Sequence, residues 1–234
     1  MPWLVKAEPD SRVVKGVDVA FSIDEFEKLK TSHWDGVRNH QAKNFMKNDM
    51  KLNDAVLFYH SNTKIPGVAG IAHISKEGYP DRKKHPYYDS KSDENNPTWF
   101  MVDVTLDQRC NHLVPLKVLQ TLATLSTVPS ELSSYLKDEH MNALKKMVLL
   151  KRSRLSVQPV EQLAFEAVKL LGTNGGWSED MMGGKKSGAS KRSLKETSSS
   201  NSTQKSDASR SKKRKKNEKG DQKVHDNGDE AKKE

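Results

Sequence analysis

The sequence predicts an α+β fold, a small curved sheet or barrel with helices packed outside it, followed by a disordered basic tail. Three observations predict it. Short strand-like segments are joined by long connections with helix-patterned segments between them, not alternating in a regular βαβ wheel. Residues 54–60 are apolar on both faces, Ala55, Leu57 and Tyr59 against Val56 and Phe58, as suits a central strand covered on both sides. Large apolar residues nearly stop at residue 171, with Trp177, Leu194 and Val224 almost the only ones in a stretch of Ser, Lys, Gly, Asp and Asn. Residues 1–171 are therefore expected to form one domain, since about 170 residues is ample for a single core. Residues 172–234 cannot bury enough surface to offset the entropy of ordering them and are expected to be disordered.

In chain order, Trp3-Leu4-Val5 reads as a short strand that ends before Pro9. Ser22-Ile23-Asp24-Glu25 has the capping-box pattern, and Ile23, Phe26 and Leu29 follow at helical spacing. A loop carrying Trp34 comes next, then a helix over 39–50. After the central strand, residues 67–75 form a strand whose Gly67 and Gly70 mark a bulge or a close backbone approach. Residues 77–97 are polar and read as a long loop, and 98–106 as a third long strand. Helical spacing recurs over 115–122 and 131–150, and 154–159 is extended up to Pro159. A last helix places Val160, Leu163, Ala164, Ala167, Val168 and Leu171 on one stripe, with Gly172 as its stop.

Charge is unevenly distributed. From Gly172 onward there are 16 Lys and Arg against 10 Asp and Glu, so most of the net charge of +9 lies in the tail and the body is nearly balanced. Affinity for nucleic acid argued from overall charge is thus an argument about the tail. The single cysteine, Cys110, excludes an internal disulfide and a multi-cysteine zinc site, and reads as a small half-buried hydrophobe. Lys6, Glu8 and Asp10 interrupt the apolar start, so no signal peptide is expected, and no apolar run nears the roughly 20 residues of a membrane span. Neither G-x-G-x-x-G nor G-x-x-x-x-G-K-[ST] occurs, and there is no H-E-x-x-H. No cofactor, metal or catalytic residue is expected.

The stretch Trp34-Asp35-Gly36-Val37-Arg38-Asn39-His40-Gln41-Ala42 combines an aromatic plane, a guanidinium, two amides and a glycine turn. An unpartnered buried amide costs about 1–3 kcal/mol, so this mixture implies an internal network or a polar pocket for a planar, hydrogen-bonding ligand. With Trp3-Leu4-Val5-Lys6-Ala7-Glu8-Pro9, Phe21-Ser22-Ile23-Asp24, Phe58-Tyr59-His60-Ser61-Asn62, Tyr79-Pro80-Asp81, Met101-Val102-Asp103-Val104 and Arg154-Leu155-Ser156-Val157-Gln158-Pro159, it resembles the EVE-domain family, in order and over nearly all of residues 2–171. The resemblance implies a PUA-like fold, a small mixed β-barrel flanked by helices and related to YTH domains. It also implies a pocket for a modified base in DNA or RNA, modified cytosine above all. Four positions depart from the family pattern: Ala7 stands where Ser is usual, His40 for Tyr, Lys43 for Arg and Thr63 for Cys.

Each candidate site residue has a functional and a plain structural reading. Trp34 can stack on a base or serve as a core residue. Asn39 and Gln41 can read a base edge, while Asn39 also sits where a helix N-cap belongs. Tyr59 is a pocket wall or core; Ser61 and Asn62 are polar contacts at a strand end; His60 on the opposite face is a solvated edge residue otherwise. Lys6 and Glu8 form an ion pair at the pocket floor or a weak surface pair. Arg38 and Lys64 can hold phosphates or simply be solvated, and Trp99 reads as core. In the tail, Lys212, Lys213, Arg214, Lys215 and Lys216 suit recognition by a nuclear import receptor, and nearby serines suit phosphorylation. The expectation is a nuclear, monomeric, non-enzymatic module that binds a modified base in nucleic acid. The competing classes are a small hydrolase using Lys6 and Glu8 as base and acid, and a protein-interaction adaptor.

Overall fold

The computed structural model describes residues 1–81, 86, 87, 89, 91–93 and 95–183. A six-stranded mixed sheet forms the frame, in the order β4-β7-β6-β5-β1-β8. Its strands are β1 (Trp3–Ala7), β4 (Thr31–Trp34), β5 (Ala55–His60), β6 (Gly67–Pro80), β7 (Phe100–Pro115) and β8 (Val157–Pro159). β1 and β5 run parallel, with Trp3 opposite Val56 and Ala7 opposite His60, and every other pairing is antiparallel. A separate two-stranded hairpin joins β2 (Val13–Val14) to β3 (Val17–Asp18).

Alternation along β1 and β5 divides the interior into two cores. Leu4, Leu57 and Tyr59 face one side, beneath α3 (Leu116–Thr124), α4 (Asp138–Lys146) and α6 (Gln162–Asn174). Trp3, Val5, Val56 and Phe58 face the other, with α1 (Ile23–Leu29) and α2 (His40–Asn44) supplying Phe26 and Ala42. α5 (Val148–Lys151) leads into β8. The expected double covering of residues 54–60 is realised: Val56, Leu57, Phe58 and Tyr59 are all buried. The capping box also forms, with the Glu25 amide donating to Ser22 Oγ at 3.3 Å and the Ser22 amide to Glu25 Oε2 at 2.7 Å.

The structure departs from the sequence expectations in five places. The Trp34 segment is not all loop, because residues 31–34 pair with β7, Trp34 opposite Val102. The helix over 39–50 is α-helical only to Asn44 and widens into a π-helical turn at Phe45–Asp49. β6 continues to Pro80, into the segment read as loop, and β7 runs on to Pro115, well past the strand expected over 98–106. Repeated register shifts between them absorb their twist, and Tyr79 pairs with Met101 while its hydroxyl donates to Asp103. Gly172 is not the helix stop: α6 runs to Asn174 and ends at Gly175, whose φ of +62° suits glycine. Nor does the packed body end at 171, since Met181 is buried and Trp177 packs on the same core, edge-on to His112 at 6.2 Å. The rest of the tail, including the basic cluster at 212–216, lies outside the described residues.

Gly78 allows β6 to run beside the π-helical turn, because a Cβ there would lie 2.4 Å from the Met46 carbonyl oxygen and 2.9 Å from Lys47 Cα. Both neighbours are backbone and cannot rotate away. Gly78→Ala is therefore expected to lower unfolding free energy by about 2 kcal/mol, read from urea midpoints, with the slope unchanged.

Candidate functional site

A cleft of about 550 Å³ opens where β1 and β4 end beneath the β2–β3 hairpin. Its floor is Lys6, Ala7, Glu8 and Ser156; Phe21 and Trp34 form an aromatic wall. Val17, Asp18, Val19 and Ala20 border it on the hairpin side, and Ser32 and His33 of β4, residues 35–39, Pro86 and Tyr87 complete it.

The hairpin is a local product of the sequence. Lys15 and Gly16 have φ of +49° and +80°, the signs a type I′ turn requires, and Asp18 gathers the ends. It accepts from Ser11 Oγ at 2.7 Å and from the amides of Arg12 and Ala20 at 3.0 Å each. Those bonds, Ser11's first, hold the Asp18 carboxyl below the usual range. The chain then returns to the sheet through the Phe21 amide, which donates to the Glu8 carbonyl at 2.7 Å.

Trp34 is 7% exposed and meets Phe21 and Phe58 edge-on at 6.1 and 6.0 Å. It belongs to the core and presents a narrow strip of indole to the cleft, so Phe21 and Tyr87 must supply further aromatic surface to a planar guest. Lys6 is half-buried, donates from Nζ to the Ser153 carbonyl at 2.7 Å and lies 5.6 Å from the Tyr59 ring centroid. Burial pushes its ammonium down from the ordinary 10.5 to about 8. Lys6 and Glu8 do not pair: Glu8 accepts from Arg12 Nη1 with both oxygens, at 2.9 and 2.8 Å.

Of the residues singled out in the sequence, Lys6, Glu8, Trp34, Arg38 and Asn39 line the cleft. Arg38 serves as a strut rather than an open phosphate ligand. Its Nε donates to the Tyr87 carbonyl at 2.6 Å, its Nη1 to buried Asp81 at 2.5 Å, and it lies 5.3 Å from the Trp99 ring. One nitrogen, Nη2, is buried with no partner among the described residues. Asn39 is an N-cap, its Oδ1 accepting from the Ala42 amide at 3.0 Å. Tyr59 is core on the far side of the sheet, beside Leu4 and Leu57. Gln41, Asn62 and Lys64 are exposed outside the cleft lining, and Ser61 donates to the Ala7 carbonyl at 3.1 Å. His60 is not a solvated edge residue. It accepts the Ile23 amide at the start of α1 at 3.0 Å, and burial first of all depresses its pKa, consistent with a neutral ring.

Sequence reasoning missed the hairpin, Phe21, His33 and Tyr87 as parts of the cleft. The hairpin's signal was available in Val13-Val14-Lys15-Gly16-Val17, a two-residue glycine turn between β-branched residues. His33 lies on edge strand β4 and meets Asp103 Oδ1 at 2.6 Å and Tyr79 Oη at 2.9 Å, partners 70 and 46 residues distant that no local pattern reveals. Among the described residues no group of three or more His, Cys, Asp or Glu could hold a metal ion.

Lys6 gives the cleft a measurable pH signature. From about pH 8 up to 10.5 the unfolded chain keeps a proton on Lys6 that the folded chain has released, so this group makes stability rise with pH. Lys6→Met is expected to be the more stable protein at neutral pH, with the wild type gaining on it across that window in urea titrations. Parallel pH profiles would contradict the burial of this ammonium.

The family described as EVE domain matches residues 2–170. Thymocyte nuclear protein 1 of Homo sapiens is 45% identical over 174 residues, 71% of each chain, and that of Danio rerio 42% identical over 174 residues, 71% of this chain and 69% of the relative. Among solved structures, human THYN1 protein in complex with 5-methylcytosine-containing DNA is 43% identical, with a TM-score of 0.62 over 73% of this chain and 96% of that one. A hypothetical protein from Leishmania major is 37% identical, with a TM-score of 0.57 over 73% and 93% of the two chains.

Proposed function

This chain belongs to the EVE-domain family, and on that premise we propose that it is a DNA-binding module whose cleft takes a modified cytosine, 5-methylcytosine first, turned out of its strand. The observation that carries this reading is the 43% identity to human THYN1 protein, whose crystal structure holds 5-methylcytosine-containing DNA, over 96% of that chain. The chemistry of the cleft supports it. A cavity of about 550 Å³ is ample for a pyrimidine. Trp34, Phe21 and Tyr87 offer apolar surface to the ring and its methyl group, and aromatic contact is worth about 1–3 kcal/mol per base. Turning a base out costs a few kcal/mol, which the cleft and the flanking phosphates together have to offset.

Binding without bond cleavage is favoured because Glu8, the acid that a Lys6-centred reaction would need, is held by Arg12 at 2.8 and 2.9 Å. The names of the relatives support residence in the nucleus, with the basic cluster at 212–216 as the import signal. Replacing Lys212, Lys213, Arg214, Lys215 and Lys216 with alanine in a fluorescent fusion is expected to leave the protein in the cytoplasm; undiminished nuclear signal would remove the cluster from the account.

The test is binding of the full chain to matched oligonucleotides carrying cytosine or 5-methylcytosine, as DNA and as RNA, at physiological salt. The methylated DNA is expected to bind at least about tenfold more tightly and to be recovered intact, a difference of about 1.4 kcal/mol. Trp34→Ala is expected to reduce that preference. Equal affinity for both cytosines in the wild type would overturn the reading.

A further inference from the structure

The stretch 151–154, from the last residue of α5 into the loop before β8, carries Lys151, Arg152, Ser153 and Arg154, all exposed. It adjoins the cleft floor through backbone alone: Ser153 offers its carbonyl to Lys6 Nζ at 2.7 Å, and the Lys6 amide donates to the Ser156 carbonyl at 3.0 Å. Gln158, 1% exposed, fixes the loop from beneath, its Nε2 donating to the Arg152 and Leu155 carbonyls at 3.0 and 2.8 Å. Leu155 anchors the loop in the core shared with Trp3 and Val5. The backbone polar groups thus turn inward and the three cationic side chains stay in solvent.

The arginines divide into two classes. Arg12 is held by Glu8, Arg38 by Asp81, and Arg109 by Asp24 and Glu27. Arg152 and Arg154 have no carboxylate within ion-pair distance among the described residues, and neither has Lys151. In a body whose charge is nearly balanced, three unpaired cations on one pinned loop beside a cleft form a local positive site. A planar guanidinium fork matches phosphate oxygens, and two such forks one residue apart on a fixed backbone suit consecutive phosphates of a strand.

We propose that Lys151, Arg152 and Arg154 form the phosphate anchor for the DNA strand whose base enters the cleft. This rests on the reading of the cleft as a modified-cytosine site. Phosphate contacts position a strand and carry no base information, so the loop supplies affinity and register while the cleft supplies discrimination. The tail's cations are common to every variant of the body and drop out of the comparison.

The test compares the full-length wild type, the K151Q/R152Q/R154Q variant and a K137Q/K145Q/K169Q control, whose changes lie on the helical face. Each is titrated with methylated and unmethylated duplexes over a series of salt concentrations. Three phosphate contacts contribute about 2.7 to the slope of log K against log salt, so the loop variant is expected to lose that much slope. Between about 50 and 200 mM salt its affinity falls about 40-fold less than that of the wild type. Its ratio of methylated to unmethylated affinity stays as in the wild type, and the control keeps the wild-type slope. An unchanged slope in the loop variant, or an equal loss in the control, with methyl preference intact in the wild type, overturns the anchor alone. A wild type without methyl preference overturns the cleft reading on which the anchor rests.

Discussion

The rest of the structure depends on the burial of β5 on both faces. Four consecutive residues, Val56, Leu57, Phe58 and Tyr59, have no polar side to give to water, so layers of structure must cover both faces of the sheet. One layer is α3, α4 and α6, and the other is built around α1, α2 and the π-helical turn. The parallel partner β1 copies the division, sending Leu4 one way and Trp3 and Val5 the other. The cleft forms where that second layer stops short. β1 ends at Ala7 and β4 at Trp34, and beyond them the hairpin, the 35–39 loop, Pro86 and Tyr87 border the cavity beside Phe21 and Trp34.

Electrostatics at the cleft follow from this arrangement. Lys6 occupies the β1 position after Val5 and is drawn over the Tyr59 ring with the Ser153 carbonyl as its hydrogen-bond acceptor. Desolvating an ammonium with so little compensation disfavours the charged form and weakens the fold at neutral pH, and the prediction of a more stable Lys6→Met variant expresses that cost. Arg38 illustrates the opposite solution. Asp81 and the Tyr87 carbonyl fix its guanidinium, so it ties the segment after β6 to the cleft rim. Residues of like charge thus have different jobs according to what lies within hydrogen-bond reach.

Much of this was legible in the sequence, because the signals were local. The Ser22–Glu25 capping box, the doubly apolar run at 55–59 and the cap at Asn39 each depend on residues within one or two turns or along one strand. The cleft was half legible. Trp34, Arg38 and Asn39 stand out as a group, and Lys6 and Glu8 enter through the family resemblance, while Tyr59, open to a pocket or a core reading, is core. Its own strand could not say which face holds the cleft, since both faces are apolar and alternation separates Tyr59 from Phe58 without naming either side. The lengths of β6 and β7 were hidden for a related reason. Tyr79 and Pro80 pair with Met101 and Phe100 of β7 and the Tyr79 hydroxyl reaches Asp103, pairings that have no signature in either segment alone.

The central claim is that the aromatic wall at Trp34 meets the modified base, and the indole N–H resonances of the full-length protein test it most directly. The four tryptophans, at 3, 34, 99 and 177, lie in distinct settings: Trp3 donates to Asp54 at 2.8 Å, Trp99 to Asp89 at 3.0 Å, and Trp177 packs against His112. On titration with a 5-methylcytosine strand, the Trp34 signal, assigned by its loss in Trp34→Phe, should shift most, with those of Trp3 and Trp177 nearly still. A shift centred on Trp3 or Trp177, or an unmoved Trp34 at saturating strand, would contradict the account.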